Sequence, residues 1–296
     1  MFSNKQVYQF IQKSIKQKQN IVVTSVIKTL GSTYSKAGSI FVINEEGKTC
    51  GVLGSPKLHN KLLELSKQAL ETKEVFVLDN IPSDESSGHG ESKFFIQAFF
   101  YEENYGLLQE ALENTNKTLV RSIIDGRYFF EEKQRSIELK ENLFYQTIKK
   151  TYSLLVFGAA AHVEPLIKMA NLLGWKTTVI DIKINNEFVR NADKVIKLDE
   201  AKEVLNIDFK QYDASVILSH RPSTDEVYLQ ALASSNIEYI GMMGNKKNMA
   251  SIKNKLGLNN DKRVFAPVGL DIGSNSSESI ALSICAQIES KRNGKI

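Results

Sequence analysis

The stretch from Ser153 to Asp181 constrains the fold more than any other part of the chain. Leu154 to Phe157 is a short apolar run of the kind a parallel strand buried on both faces requires. Gly158 permits a sharp turn where a side chain would obstruct. Val163, Leu166, Ile167 and Ala170 then recur at helical spacing, with Pro165 tolerable in the first turn. Gly174 closes that helix as a left-handed cap, and Thr177 to Ile180 is the β-rich second strand. Asp181 ends it roughly 20 residues beyond the glycine, where dinucleotide folds place the acid that binds a ribose hydroxyl.

This strand, turn, helix, strand and acid form the first half of a Rossmann unit, and the turn is expected to face a ligand. The phosphate fingerprint is reduced to Gly158-x-Ala160-x-x-Val163, keeping only its first glycine. The Ala160 methyl stands where a second glycine would admit a pyrophosphate, so NAD(P) is not expected in its standard seat.

With 296 residues the chain has room for two domains. Its 38 basic and 34 acidic residues give a net charge of +4 without a dense cluster, which argues against nucleic acid or a membrane surface. Cys50 and Cys285 lie far apart with no CxxC, suiting a reducing cytoplasm. The first 20 residues alternate lysines with apolar residues and lack a signal-peptide core, and no apolar run approaches a membrane span. A cytoplasmic protein is expected.

An N-terminal mixed α/β domain is expected over 1–131. Val7, Phe10, Ile11 and Ile15 line one helix face, followed by strands from Ile21 and Ser39. Asn44-Glu-Glu-Gly47 and Asp125-Gly126 read as hairpin turns, and Lys57 to Glu71 as a helix. Residues 132–150 are charge-dense with isolated apolar residues Phe144, Tyr145 and Ile148, and read as a linker. A Rossmann-like, doubly wound parallel-sheet domain follows over 151–296. Its further strands run over 192–198, 214–219 and 238–242. Ser223-x-x-Glu226 reads as a capping box, and Asn275-x-x-Glu278 as the cap of a final helix.

Right-handed crossovers give the strand order 3-2-1-4-5, making the first and fourth strands neighbours at the switch point. His162 and His220 follow those two strands, so both are expected near one crevice. Either they contact a ligand there, or His162 caps its helix and His220 bonds a loop carbonyl. No third ligand at fixed spacing supports zinc. Gly244-Asn-Lys-Lys247, at a helix start, is either an anion cradle or a solvated turn. Asp271, between glycines, either faces a ligand or holds its own loop, while Met242 and Met243 read as core.

The second domain resembles the Rossmann domain of the xanthine dehydrogenase accessory (XdhC/CoxI) family. The resemblance is carried by Phe157 to Leu166, Leu173 to Asp181, Ser219-His220 with Asp225, Tyr239 to Gly244, and Pro267 to Gly273 followed by Glu278 and Ala281-Leu282. Gly31-Ser32, Ala37-Gly38 and Gly47-x-x-x-Gly51 extend it to the N-terminal domain. It implies a non-catalytic maturation factor that binds and protects the molybdopterin cofactor, supports its sulfuration and delivers it to a xanthine dehydrogenase-type molybdenum hydroxylase. It further implies the apo hydroxylase and a cysteine desulfurase as partners, and a homodimer. The residues expected to bind cofactor are Gly158, Ala160, His162, Asp181, His220, Gly244, Lys246 and Asp271.

Where the family shows Gly-Gly-Cys-x-Glu, this chain reads Ser55-Pro56-Lys57-Leu58-His59, with lysine in the cysteine's place. His89 corresponds to a second family cysteine. Thiolate contact with molybdenum or sulfur is therefore not expected. The alternatives are an NAD(P)-dependent oxidoreductase using the same crevice, and a regulatory or scaffolding protein that has lost the ligand.

Overall fold

The computed structural model describes residues 2–82 and 90–296, and His89 lies outside them. The chain forms two compact units, Met1–Lys150 and Thr151–Ile296.

The first unit begins with α1 (Lys5–Lys16), whose Asn4 side chain caps the Gln6 and Val7 N–H groups. It continues with β1 (Ile21–Leu30), β2 (Ile40–Asn44), β3 (Thr49–Cys50), α2 (Pro56–Thr72), β4 (Phe76–Asn80), β5 (Glu91–Phe99) and α3 (Leu107–Glu113). It ends with β6 (Thr118–Ser122), β7 (Tyr128–Glu131), β8 (Glu138–Lys140) and β9 (Leu143–Thr147). Two antiparallel sheets result, ordered β3-β2-β1-β5-β4 and β7-β6-β9-β8. Both expected hairpins form, with Gly47 at φ +78° and Gly126 at φ +75° donating back to Asn44 and Ser122.

The expected linker over 132–150 is instead largely sheet. Phe144, Gln146 and Ile148 are buried at a spacing of two, so the apolar residues that look isolated by density form one face of a strand. Glu141 and Asn142 at φ +49° and +64° make the two-residue turn between β8 and β9. Two positive φ values in succession give the turn whose twist suits a hairpin.

The second unit comprises β10 (Ser153–Phe157), α4 (Glu164–Leu172), β11 (Lys176–Asp181), α5 (Asn186–Val189), β12 (Lys194–Lys197), β13 (Ala214–Ile217), α6 (Pro222–Ala233), β14 (Tyr239–Met242), α7 (Lys246–Lys255), β15 (Val264–Phe265) and α8 (Ser277–Arg292). All six strands are parallel in the order β12-β11-β10-β13-β14-β15. The expected order is therefore present, extended by the two-residue β15, which is too short to show a pattern in sequence. Leu154 and Val156 enter one core layer while Leu155 and Phe157 enter the other, all fully buried. Burial of each such side chain contributes about 1.5–3 kcal/mol.

Gly174, at φ +75°, donates to Asn171, and Trp175 donates to Ala170. These paired bonds end α4 and seat the buried Trp175 beneath it. Two caps differ from expectation. Ser223 lies inside the first turn of α6, whose N-cap is Arg221, so no capping box forms there. The box of α8 pairs Ser276 with Ser279, one residue beyond the expected Asn275–Glu278.

Candidate functional site

The parallel strands of the second unit point their carboxyl ends at one edge, and the turns leaving β10, β13 and β14 build the site there. Gly158 takes φ +125°, and a Cβ on it would lie 2.9 Å from the Leu218 carbonyl carbon and oxygen. Only glycine lets the turn after β10 pass so close to the turn after β13.

That approach brings the two histidines together. His162 Nε2–H donates to the Leu218 carbonyl at 2.8 Å, which leaves Nδ1 as the ring's acceptor when it is neutral. The rings of His162 and His220 meet edge to face at 4.7 Å. His220 sits at φ +52°, an uncommon conformation for a residue with a side chain. Partial burial and then the neighbouring His162 push its pKa below the ordinary 6.5, with Asp225 opposing them.

Asp225 is buried on the first turn of α6 and accepts a short hydrogen bond from Ser219 Oγ. Burial raises its carboxyl above the usual 3.8, against opposing bonds from Ser219 and the Arg221 backbone and the charges of His220 and Arg221. Asp225 and His220 line a cavity of about 590 Å³ beyond β13 and β14, together with Met242, Met243, Gly244 and Met249. Three of the five methionines thus share one wall, and a thioether wall adapts readily to a ligand's outline. Met242 belongs to the core as expected, yet also faces this space.

Asp181 is placed differently from a free ribose acceptor. Its buried carboxylate accepts from the backbone N–H groups of Ile182 (2.7 Å) and Lys183 (3.3 Å) and is ion-paired with the Arg221 guanidinium. Nothing in the sequence pattern marks Arg221 for this position.

The expected site residues therefore separate into groups. His220 and Gly244 line the cavity, and His162 touches it through His220. Gly158 shapes the turn, and Ala160 is exposed beside it. Asp181 is engaged by Arg221. Lys246 is exposed at the start of α7 and Asp271 is exposed on the loop after β15, and neither lines the cavity. The α7 N-terminus is capped by Asn245, whose side chain accepts from Asn248. Among the described residues, no group of three or more His, Cys, Asp and Glu could hold a metal ion.

In the first unit, Ser55 to His59 open α2. Ser55 caps the Leu58 N–H, and His59 Nε2 accepts from the Leu53 N–H at 3.0 Å. His59 also meets Phe41 edge to face, so it acts as a packing residue. Ser32, Leu53, Gly54, Ser55 and Pro56 border a second cavity of about 480 Å³. Burial raises the Cys50 thiol above its ordinary range and pushes that of Cys285 up to about 12, so neither favours the thiolate.

A family model described as the XdhC Rossmann domain matches residues 154–288. A second, described as the XdhC and CoxI family, matches residues 14–79. The chain belongs to the XdhC and CoxI family. A Bacillus subtilis member described as a probable xanthine dehydrogenase subunit is 22% identical, the alignment covering 93% of this chain and 94% of that protein. A crystal structure of a Bacillus halodurans protein described as a xanthine dehydrogenase has a TM-score of 0.79 at 20% identity, covering 97% of this chain and 96% of that one. At that identity the likeness speaks for the XdhC-type fold alone. No helix among the described residues is long and apolar enough to cross a membrane.

Proposed function

We propose that this XdhC-family chain is a maturation factor that holds the molybdenum cofactor and delivers it to a xanthine dehydrogenase-type hydroxylase. The observation that carries the reading is the cavity beyond β13 and β14, where His220, the buried Asp225 and three methionines converge. Its volume of about 590 Å³ suits a compact heterocycle, and imidazole and carboxyl groups can bond the edge of a pterin. The family match and the name of the Bacillus subtilis relative support the choice of client.

The residues fit such a ligand as binders and do not form a transfer catalyst. His162 fixes the turn that presents His220, and Asp225 supplies a carboxyl held in place by Ser219. A dinucleotide reading has less support, because the acid that would hold its ribose is bound to Arg221.

Reconstitution tests the proposal. Apo-hydroxylase mixed with molybdenum cofactor is expected to regain more activity with this chain present, and His220→Ala or Gly244→Val is expected to reduce the gain roughly tenfold. Equal recovery without the chain would remove the proposal.

A further inference from the structure

We propose that Arg221 is the anion receptor of this cavity, docked on Asp181 but positioned to engage a phosphomonoester carried by a compact ligand. This goes beyond the maturation reading, on which it depends only for the ligand's heterocycle.

Arg221 is flanked in sequence by His220 and Pro222, both of which line the cavity. Its guanidinium bonds Asp181, while Nε has no hydrogen-bond partner. A guanidinium carries five donors in a planar fork that matches phosphate oxygens two at a time, so this group has donors to spare. Its side chain retains 31% exposure, enough for the head group to turn without opening the core. Lys246, the expected cation, lies outside the lining. Asp225 would repel an anion, but its carboxyl is turned onto Ser219 and the Arg221 backbone.

The ion pair also restricts ligand shape. In the sheet β10 lies between β11 and β13. Asp181 ends β11 and Arg221 follows β13, so their bond crosses beyond the end of β10, over the groove a dinucleotide's pyrophosphate would occupy. What remains accessible is the cavity on the β13–β14 side, which suits one ring system and one phosphate.

The test titrates the full chain with inorganic phosphate and follows the imidazole resonances of His220. Phosphate at millimolar concentration is expected to shift them in the parent. Asp181→Asn, which weakens the hold on the guanidinium, should tighten phosphate binding several-fold. Asp181→Asn/Arg221→Gln exchanges the ion pair for two neutral amides and should weaken binding at least tenfold while leaving the circular dichroism unchanged. Equal phosphate affinity in the parent and the double variant overturns the assignment, as does a parent that shows no response at tens of millimolar. A parallel titration with molybdopterin separates the two ideas. Phosphate binding that depends on Arg221 without molybdopterin binding would refute the maturation reading and leave Arg221 in its role. Molybdopterin binding of equal strength in both proteins would refute the role of Arg221 alone.

Discussion

His162 and His220, far apart in sequence, meet edge to face with ring centroids 4.7 Å apart. Their meeting follows from β10 and β13 being hydrogen-bonded neighbours, so that the two turns beyond them share one space. Neighbouring imidazoles disfavour a second positive charge, and partial burial acts in the same direction on His220.

This sets a pH dependence. The pKa of folded His220 lies below the ordinary 6.5, so its contribution to stability is fully present above 6.5 and is lost as pH falls through the folded value. Asp225, raised from 3.8, has the opposite sign: its contribution is full at low pH and is lost as pH rises through its folded value. His220→Asn keeps a residue tolerant of φ +52° and removes the imidazole. Thermal melts between pH 7 and pH 5 should show a smaller fall for this variant than for the parent. Identical slopes would mean that His220 does not titrate differently on folding.

Gly158→Ala should be the most damaging single methyl at the site. Its Cβ would stand 2.9 Å from the Leu218 carbonyl and 3.1 Å from the Ser219 nitrogen at φ +125°, and relief requires parting β10 from β13. A loss of about 2–4 kcal/mol in urea denaturation is expected. Gly47→Ala is the control: φ is +78° but nothing lies within 4 Å, so about 1–2 kcal/mol is expected. Equal losses would show that the close approach contributes nothing.

Ser276→Ala should destabilise the chain by about 1 kcal/mol, because it removes the cap of the Ser279 N–H. Asn275→Ala should change stability by less than about 0.5 kcal/mol, the range of an ordinary surface substitution. Denaturation curves that reverse this ranking would return the cap to Asn275.

Arg121 is fully buried between the aromatic rings of Phe95 and Phe144, bonded to Ser25 Oγ at 2.9 Å, with Nε and Nη1 unpartnered. Burial brings its pKa down to about 10. Ser25→Ala/Arg121→Met removes the buried charge and its hydroxyl partner while keeping volume. An increase in stability of about 1–3 kcal/mol is expected, by analogy with buried ions replaced by apolar residues. Arg121→Ala should instead destabilise by opening a void. A double variant that melts below the parent would show that the buried cation stabilises the unit.

The second unit was legible in sequence because its signals are local. A doubly buried strand needs a continuous apolar run, a tight turn needs Gly158, and a left-handed cap needs Gly174. Each leaves a mark within a few residues. The strand order followed from handedness, and with it the meeting of His162 and His220. The sheet formed by β8 and β9 was missed because period-two burial in short, charge-rich strands resembles a linker when judged by apolar density. Capping at Ser276 rather than Asn275 turned on one residue of helix phase, which sequence leaves open. Two further facts existed only in three dimensions. Lys246 begins α7 yet faces away from the cavity, because helix phase and not proximity in sequence decides which side chains line it. Arg221 reaches Asp181 because the parallel sheet sets the ends of β11 and β13 on either side of β10, so a charge pair separated widely along the chain closes across a single strand.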